Sequence, residues 1–360
     1  ISMIIIFKDS VSVGEIQSLR RELEESGFRI DSSRGEEAQL FGIVGDTRKL
    51  DERKFLKLSF VERVVRVTPV SKACDKTLRF SELSYAIVGL GLMGGSYAKA
   101  LRNLGAKEII AIDRDEDVLK MAQEEGIINI GSTDAAKVIG RADVIICCIY
   151  PEALIGFIRD NVEHFKMDAL VTDIAGTKGR MISEIQPMMG PRMEFISGHP
   201  MAGSQYTGYP YSKGDLFLNS NYIIVPEANN SEAACVWLEE FAKKIGAKQI
   251  VRVNAEEHDE IIAFTSDLPH VLAVSLIGSQ SYNDKTKYFV AGSFKDGTRV
   301  ADINPDLWSN LFISNREKVA VEVDKLIAQL EKWREALRKG DAEAMKELMR
   351  TGRDRRKELY

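Results

Sequence analysis

The stretch Tyr85–Gly94, YAIVGLGLMG, constrains this chain more than any other. An apolar run ends in three glycines, Gly89, Gly91 and Gly94, spaced G-x-G-x-x-G, and a helical pattern, GSYAKALRNLG, follows at once. A tight glycine turn between a buried strand and a helix lets the backbone approach a pyrophosphate, whose charge the positive helix end favours. The next apolar run, EIIAID, closes on Asp113, 19 residues after Gly94. A carboxylate there can accept hydrogen bonds from both ribose hydroxyls. The glycine pattern alone is weak, because tight turns recur by chance. Strand, turn, helix and acid together predict a dinucleotide site made by Gly89, Gly91, Leu92, Met93, Gly94 and Asp113, with Arg114 beside it and Tyr150 at the end of the run ADVIICCIY. Arg114 suits the 2′-phosphate of NADP, but Asp113 repels that group, so NAD is the favoured cofactor.

Further apolar runs, ADVIICCIY and ALVTDI, alternate with helix-like segments at 115–125, 152–160 and 178–187. Alternation of this kind predicts an α/β region with a parallel, doubly wound sheet over residues 84–253, a Rossmann-type dinucleotide-binding domain. Beyond it, residues 254–360 carry long helical stretches such as HDEIIAFTSDLPHVLAVSLIGSQ and EKVAVEVDKLIAQLEKWREALRKG, which predict an all-helical domain. Residues 1–72 form a third unit. MIIIF, QLFGIVG and VERVVRV are strand-like, and FRI (28–30) is a further short strand. Ser12 and Glu15 make a capping box before the apolar stripe Ile16, Leu19 and Leu23, with Gly27 as the stop; DERKFLKL is the second helix. The order βαββαβ predicts a ferredoxin-like α+β fold. The polar residues 73–83 are the predicted linker.

The net charge of −5 argues against nucleic acid or an anionic membrane as partner. No uninterrupted apolar run approaches the roughly 18 to 20 residues that span a bilayer. The four cysteines lack metal-ligand spacing, and Cys147 and Cys148 are adjacent within an apolar run. They read as reduced thiols of a cytoplasmic protein that needs no metal.

Of the four histidines, His199 stands out, within EFISGHPMAGS. Gly, Pro and Ser predict a loop there, emerging after the strand EFI at the sheet edge where such folds bind ligands. Oxidising an alcohol with a nicotinamide requires a proton acceptor, and an imidazole suits that task at neutral pH. The plain alternative is a loop histidine that caps a turn. His164, at a polar helix end, reads as surface.

The blocks AIVGLGLMGGS, VTDIAGTKG, FISGHPMAGS, EEHDEIIAFTSDLPH and AGSFKDGTRVADINPDLW occur in the order found in prephenate dehydrogenases of tyrosine biosynthesis, and residues 84–350 resemble that family. The resemblance implies a nucleotide-binding domain joined to an all-helical dimerisation domain, hence a homodimer. It also implies NAD-dependent conversion of prephenate to 4-hydroxyphenylpyruvate with loss of carbon dioxide. It assigns His199 to the catalytic histidine that hydrogen-bonds the substrate hydroxyl, and Arg299 to an arginine that binds a substrate carboxylate. His258 and His270 match further family histidines, His270 the one nearer the chemistry. Asp296 and Trp308 fall on recurring positions, with an ordinary loop acid and a helix-packing aromatic as the alternatives. Two departures stand out. Where the family often has D-x-G-S-x-K, this chain reads DIAGTK, so the ring-directed hydroxyl comes from Thr177 or is missing. Where some relatives place an acid after HPMAG-x, this chain has Gln205, which removes an attraction for the ammonium of arogenate and favours prephenate. Two rivals remain. A β-hydroxyacid dehydrogenase shares the GLGxMG turn but relies on a helix-borne lysine in a context absent here, and a non-catalytic dinucleotide sensor has no need of His199 or Arg299.

The N-terminal unit resembles the ferredoxin-like regulatory domain found before some 3-deoxy-D-arabino-heptulosonate-7-phosphate synthases, most clearly at Gly42–Arg48, GIVGDTR. That resemblance implies a sensor with tyrosine as effector; the alternative is a stabilising or dimerising appendage.

Overall fold

The computed structural model describes residues 3–8, 11–34, 39–44, 47, 50–66, 71–74, 79–190, 193–204 and 206–359. Gln205 and residues Gly45, Asp46 and Arg48 of the GIVGDTR stretch lie outside them.

The N-terminal unit runs β1 (Met3–Phe7), α1 (Val13–Glu25), β2 (Arg29–Arg34), β3 (Gln39–Val44), α2 (Glu52–Leu56) and β4 (Val61–Arg66). Its sheet has the order β2-β3-β1-β4 with every pair antiparallel, the ferredoxin-like arrangement. The capping box forms: Ser12 Oγ accepts the Glu15 N–H at 3.3 Å, and the Glu15 carboxylate accepts the Ser12 N–H at 2.9 Å. Ile16, Leu19 and Leu23 then face Met3, Ile5, Phe7, Phe41 and Ile43, and these residues form a core of their own. β2 extends beyond the predicted FRI, because its polar continuation DSSR masks the strand signal.

The second region is an eight-stranded sheet of order β12-β11-β10-β9-β8-β5-β6-β7. It contains β5 (Ser84–Val88), α3 (Leu92–Asn103), β6 (Glu108–Ile112), α4 (Glu116–Glu124) and β7 (Ile130–Ser132). Then come β8 (Val144–Cys147), α5 (Pro151–Asn161), β9 (Leu170–Asp173), α6 (Gly179–Ile185) and β10 (Glu194–Pro200). β11 (Asn221–Val225), α7 (Glu232–Lys244) and β12 (Gln249–Arg252) close it. From β7 to β10 neighbouring strands are parallel, and β11 turns back antiparallel to β10. The direction of winding reverses between β5 and β8, and such a switch point opens a crevice at the carboxyl ends of the strands.

Two expectations need correcting. His199 is not in a loop; it lies in β10, opposite Ile223 of β11. β9 pairs with β10 only as far as Ser197, so Gly198, His199 and Pro200 overhang with one neighbour. On that open side a strand tolerates a proline that has no N–H to give. Nor is the predicted linker a free polar segment. Ala73 and Cys74 are buried in the core of the large sheet's domain, Ser71 Oγ donates to Asp168 O at 2.7 Å, and Phe80 packs on Trp237 and Phe241.

The helical part comprises α8 (Ala255–Ile262), a π-turn (Ala263–Asp267), α9 (Leu268–Ile277), α10 (Gly292–Thr298) and α11 (Pro305–Ser314). The long α12 (Arg316–Lys339) and α13 (Ala342–Leu359) follow, with Gly340 at φ +67° ending α12. α8, the π-turn and α9 make one 23-residue helix whose mean hydropathy reaches 1.4, long and apolar enough by composition to span a bilayer. That differs from the sequence expectation, since Glu, Asp and His at intervals hide the run. By Cα proximity the chain divides into two compact units, residues 1–175 with 181–254, and residues 176–180 with 255–360.

Because Ala73 and Cys74 belong to the core of the sheet's domain and Ser71 is bonded to Asp168, the N-terminal unit is separable only upstream of them. A chain beginning at Ser71 keeps the melting temperature of the large domain. One beginning at Arg79 loses the burial of Ala73 and Cys74, at a cost of about 2 kcal/mol, or roughly 4–8 °C. Thermal melts of the two chains check this, and equal melting temperatures would show the arm to be dispensable.

Candidate active site

The glycine turn is built by contacts that only glycine permits. Gly89 has φ +89°, and its N–H donates to Ile112 O at 2.8 Å, tying the end of β5 to the end of β6. A Cβ on Gly94 would lie 1.9 Å from Gly89 O, so α3 can press against the turn only without one. Gly91, directly before α3, is different: its backbone is extended and a Cβ there would meet nothing within 4 Å. What a side chain on Gly91 would fill is the open space in front of the helix end, the place a pyrophosphate requires. No side chain caps α3 at that end, and its first turn carries no acid. Leu92 and Met93 form the half-buried first turn.

Asp113 stands at the end of β6, where its Oδ2 accepts the Leu90 N–H of the glycine turn at 2.6 Å and its Oδ1 accepts the Asp115 N–H at 3.0 Å. Two backbone donors thus orient the carboxylate and leave it lone pairs for ribose hydroxyls. Arg114 is exposed next to it, and Tyr150, 54% exposed, precedes Pro151 at the start of α5. His199 is half-buried near the end of β10. Because β5, β8, β9 and β10 run parallel, its strand end lies on the same edge of the sheet as the glycine turn. The strand passes over a buried phenol: a Cβ on Gly198 would lie 2.7 Å from Tyr222 Oη, which is itself 3.1 Å from Tyr97 Oη of α3. Burial pushes both phenols well above their ordinary range, so they stay neutral.

The second unit holds the other named residues. His270 stacks on Trp308 with ring centroids 3.6 Å apart, and its Nδ1 lies 2.7 Å from Ser266 O. That carbonyl can only accept, so Nδ1 carries the proton and Nε2 is the acceptor. Burial, and secondarily the positive charge of Arg299, lower the pKa of His270, while the bond to Ser266 O opposes them. Arg299 ends α10 and is exposed, as is Asp296 within that helix. Thr177 is 4% exposed, with its Oγ1 3.0 Å from Ser314 Oγ. His258 is buried with its Nδ1 2.8 Å from Asp259 Oδ1. Asp267 at the π-turn is pushed up to about 6, chiefly by burial, while a hydrogen bond from Asn315 pulls it down and the charge of Asp259 raises it. His164 sits in a short 3-10 turn beside Glu163. Asp259, Ser314 and Asn315 escaped the sequence reading, because an acid and two small polar residues in helices carry no signal until the fold brings them together. Among the described residues no three His, Cys, Asp or Glu side chains gather as a metal would need.

A doubly wound sheet with this glycine turn, an acid at the second strand end and an imidazole on the same edge defines the dinucleotide-dependent dehydrogenases. Residues 97–251 match the prephenate dehydrogenase nucleotide-binding domain, and residues 254–351 match the prephenate dehydrogenase dimerization domain. Residues 3–69 match the DAHP synthase ferredoxin-like domain. Prephenate dehydrogenase of Bacillus subtilis (strain 168) is 30% identical over 279 residues, covering 75% of this chain and 74% of that protein. Cyclohexadienyl dehydrogenase of Zymomonas mobilis is 30% identical over 268 residues, covering 73% of this chain and 91% of that one. The crystal structure of prephenate dehydrogenase from A. aeolicus, in complex with hydroxyphenyl propionate and NAD+, shares the fold with a TM-score of 0.71 at 28% identity, covering 78% of this chain and 99% of that one. The chain belongs to the prephenate dehydrogenase family. The glycine turn lies upstream of the matched nucleotide-binding segment and rests on its own geometry.

The contrast between Gly91 and Gly94 yields a test. Gly94→Ala forces α3 off the turn and destabilises the domain by roughly 2–4 kcal/mol, within the range of severe core substitutions. Gly91→Ala leaves the melting temperature nearly unchanged but weakens NADH binding about tenfold or more, because its methyl occupies the ligand's space. Thermal melts and fluorescence titration with NADH separate the two; equal NADH affinity for Gly91→Ala and the parent would refute the assignment of that space.

Proposed function

We propose that this protein oxidises prephenate with NAD, releasing carbon dioxide and giving 4-hydroxyphenylpyruvate. The observation that carries the reading is the imidazole of His199 at a strand end on the same sheet edge as the glycine turn, in a chain of the prephenate dehydrogenase family. Bound NAD supplies the hydride acceptor. The residues do the rest. His199 takes the proton of the ring hydroxyl as hydride leaves the carbinol carbon. The bond between ring and ring carboxylate then breaks, its electron pair completes the aromatic ring, and the phenolic oxygen takes a proton. Aromatisation drives that loss, so no metal or Schiff base is called for. Arg299 holds a substrate carboxylate with its planar fork. His270, with Nδ1–H directed to Ser266 O, offers Nε2 to the substrate, and Trp308 fixes its ring. Thr177 supplies the hydroxyl for the ring, in place of the family serine. His258, Asp296 and Gln205 complete the proposed substrate set, and Gln205, lacking an acid's pull on an ammonium, favours prephenate over arogenate.

Gly89, Gly91, Leu92, Met93 and Gly94 hold the pyrophosphate, Asp113 holds the ribose, and Arg114 and Tyr150 flank the cofactor. Asp113 selects NAD over NADP by charge. The protein acts as a cytoplasmic homodimer. Ile261, Phe264, Leu272, Val274 and Leu276 of the long helix are exposed apolar residues within the segment that matches the dimerization domain, and a second copy covers them. The N-terminal unit senses tyrosine, the amino acid made from the product.

His199→Asn is expected to lower kcat by about 10² to 10⁴ while NADH affinity stays within twofold, the range for losing a general base. Arg299→Gln mainly raises the KM for prephenate. NADH production followed at 340 nm, with prephenate and arogenate side by side, tests all of this, and an active His199→Asn enzyme would end the base assignment. For the sensor, a chain beginning at Ser71 should keep turnover and lose tyrosine inhibition. Equal sensitivity with and without residues 1–70 would place tyrosine at the active site instead.

A further inference from the structure

Asp259, in α8, is 6% exposed, yet its carboxylate is spent on a segment some eighty residues away in sequence. Its Oδ1 accepts the Lys178 N–H at 2.9 Å and its Oδ2 accepts the Gly179 N–H at 2.8 Å, while Oδ1 also lies 2.8 Å from the neighbouring His258 Nδ1. The two N–H groups are the donors at the start of α6. A helix is ordinarily capped by a Ser, Thr, Asp or Asn just before it. Here the local sequence AGTK puts a lysine at that place, and the cap arrives from α8. Gly179 suits the arrangement, since a Cβ there would come within 3.2 Å of Asp259 Oδ2. Two further bonds tie the same neighbourhood. Asn315 Nδ2 donates to Asp259 O at 2.9 Å and to Asp267 Oδ2 at 3.1 Å, and Ser314, one residue earlier, has its Oγ 3.0 Å from Thr177 Oγ1. As a result residues 176–180 belong to the compact unit of residues 255–360, although residues 175 and 181 on either side belong to the other.

We propose that Asp259 is a positioning residue that clamps residues 176–180 to the helical unit and so fixes Thr177 in one body with Arg299 and His270. Thr177, Arg299 and His270 then form one preorganised set, in a unit other than the one that carries the glycine turn and Asp113. The functional half of this inference rests on the reading of Thr177 as a substrate contact. A carboxylate is needed because it accepts from two backbone donors at once, whereas an amide must turn its NH2 towards one of them.

The test joins hydrogen exchange to kinetics in the full-length protein. In Asp259→Asn, amide exchange of peptides covering residues 176–185 should quicken about tenfold or more, while peptides of α3 and β6 stay unchanged. The KM for prephenate should rise roughly tenfold, the cost of a lost charge-assisted pair, with the KM for NAD within twofold. Thr177→Val should raise the same KM, and the double variant should be no worse than the worse single one, because both act through one hydroxyl. Unchanged exchange at 176–185 overturns the clamp. Quickened exchange with multiplicative effects in the double variant, or with equal shifts in both KM values, overturns the link to Thr177. Quickened exchange with a silent Thr177→Val instead removes the reading of Thr177 as a substrate contact and leaves the clamp standing. Should Asp259→Asn fail to fold, Gly179→Ala, which crowds the carboxylate without removing it, should shift exchange and KM in the same directions by less. No shift in either overturns the proposal.

Discussion

The close contact between Gly94 and the carbonyl of Gly89 is the constraint on which the nucleotide half depends. A Cβ at Gly94 would lie 1.9 Å from that oxygen, so the absence of one side chain sets how near α3 comes to β5. The left-handed turn at Gly89 lets its N–H reach Ile112 O, and Leu90 then meets the Asp113 carboxylate. Asp113 and the glycine turn are thereby fixed to each other, by one backbone bond and by one to the Asp113 carboxylate. The other side of α3 is equally tight. A Cβ on Gly95 would lie 2.7 Å from both Ser212 and Tyr209, and Tyr209 Oη reaches Glu125 at the end of α4. Two adjacent glycines thus serve opposite faces of one helix, of which the sequence reading recognised only the first.

What was legible in the sequence was local. The capping box of α1 needs two residues three apart, and the G-x-G-x-x-G turn needs six. Such signals act within a few bonds, so they read directly. The misreadings of His199 and of the linker involve partners distant along the chain. His199 looked like loop because Gly198 and Pro200 flank it, but β11, arriving more than twenty residues later, makes that stretch an overhanging strand. Residues 73 and 74 looked like linker because the charges around them conceal Ala73 and Cys74, which the core accepts beside α7. Asp259 was inside a quoted motif, yet its role depends on backbone N–H groups about eighty residues earlier.

The residues named for chemistry divide between the two compact units. The first carries the glycine turn, Asp113 and His199; the second carries Thr177, His270, Arg299 and Trp308. The division cuts across the linear order, since Thr177 lies between β9 and β10 of the large sheet but is bonded into the helical unit. A chain that is contiguous in a fold family's domain map therefore need not be contiguous in mechanical terms. Contacts, rather than sequence position, decide which body a side chain moves with.

The π-turn at Ala263–Asp267 supplies the carbonyl that orients the His270 imidazole. Pro269 brings no N–H to the turn before it, so the regular ladder is already interrupted there. One carbonyl of that turn, Ser266 O, accepts from His270 Nδ1, which sets the tautomer and leaves Nε2 as acceptor. The Trp308 ring, stacked at 3.6 Å, stops the imidazole from flipping, and partial burial with Arg299 nearby disfavours its protonation. A cationic histidine could not accept a proton or a hydrogen bond at Nε2, so the same interactions that lower its pKa keep it useful near neutrality.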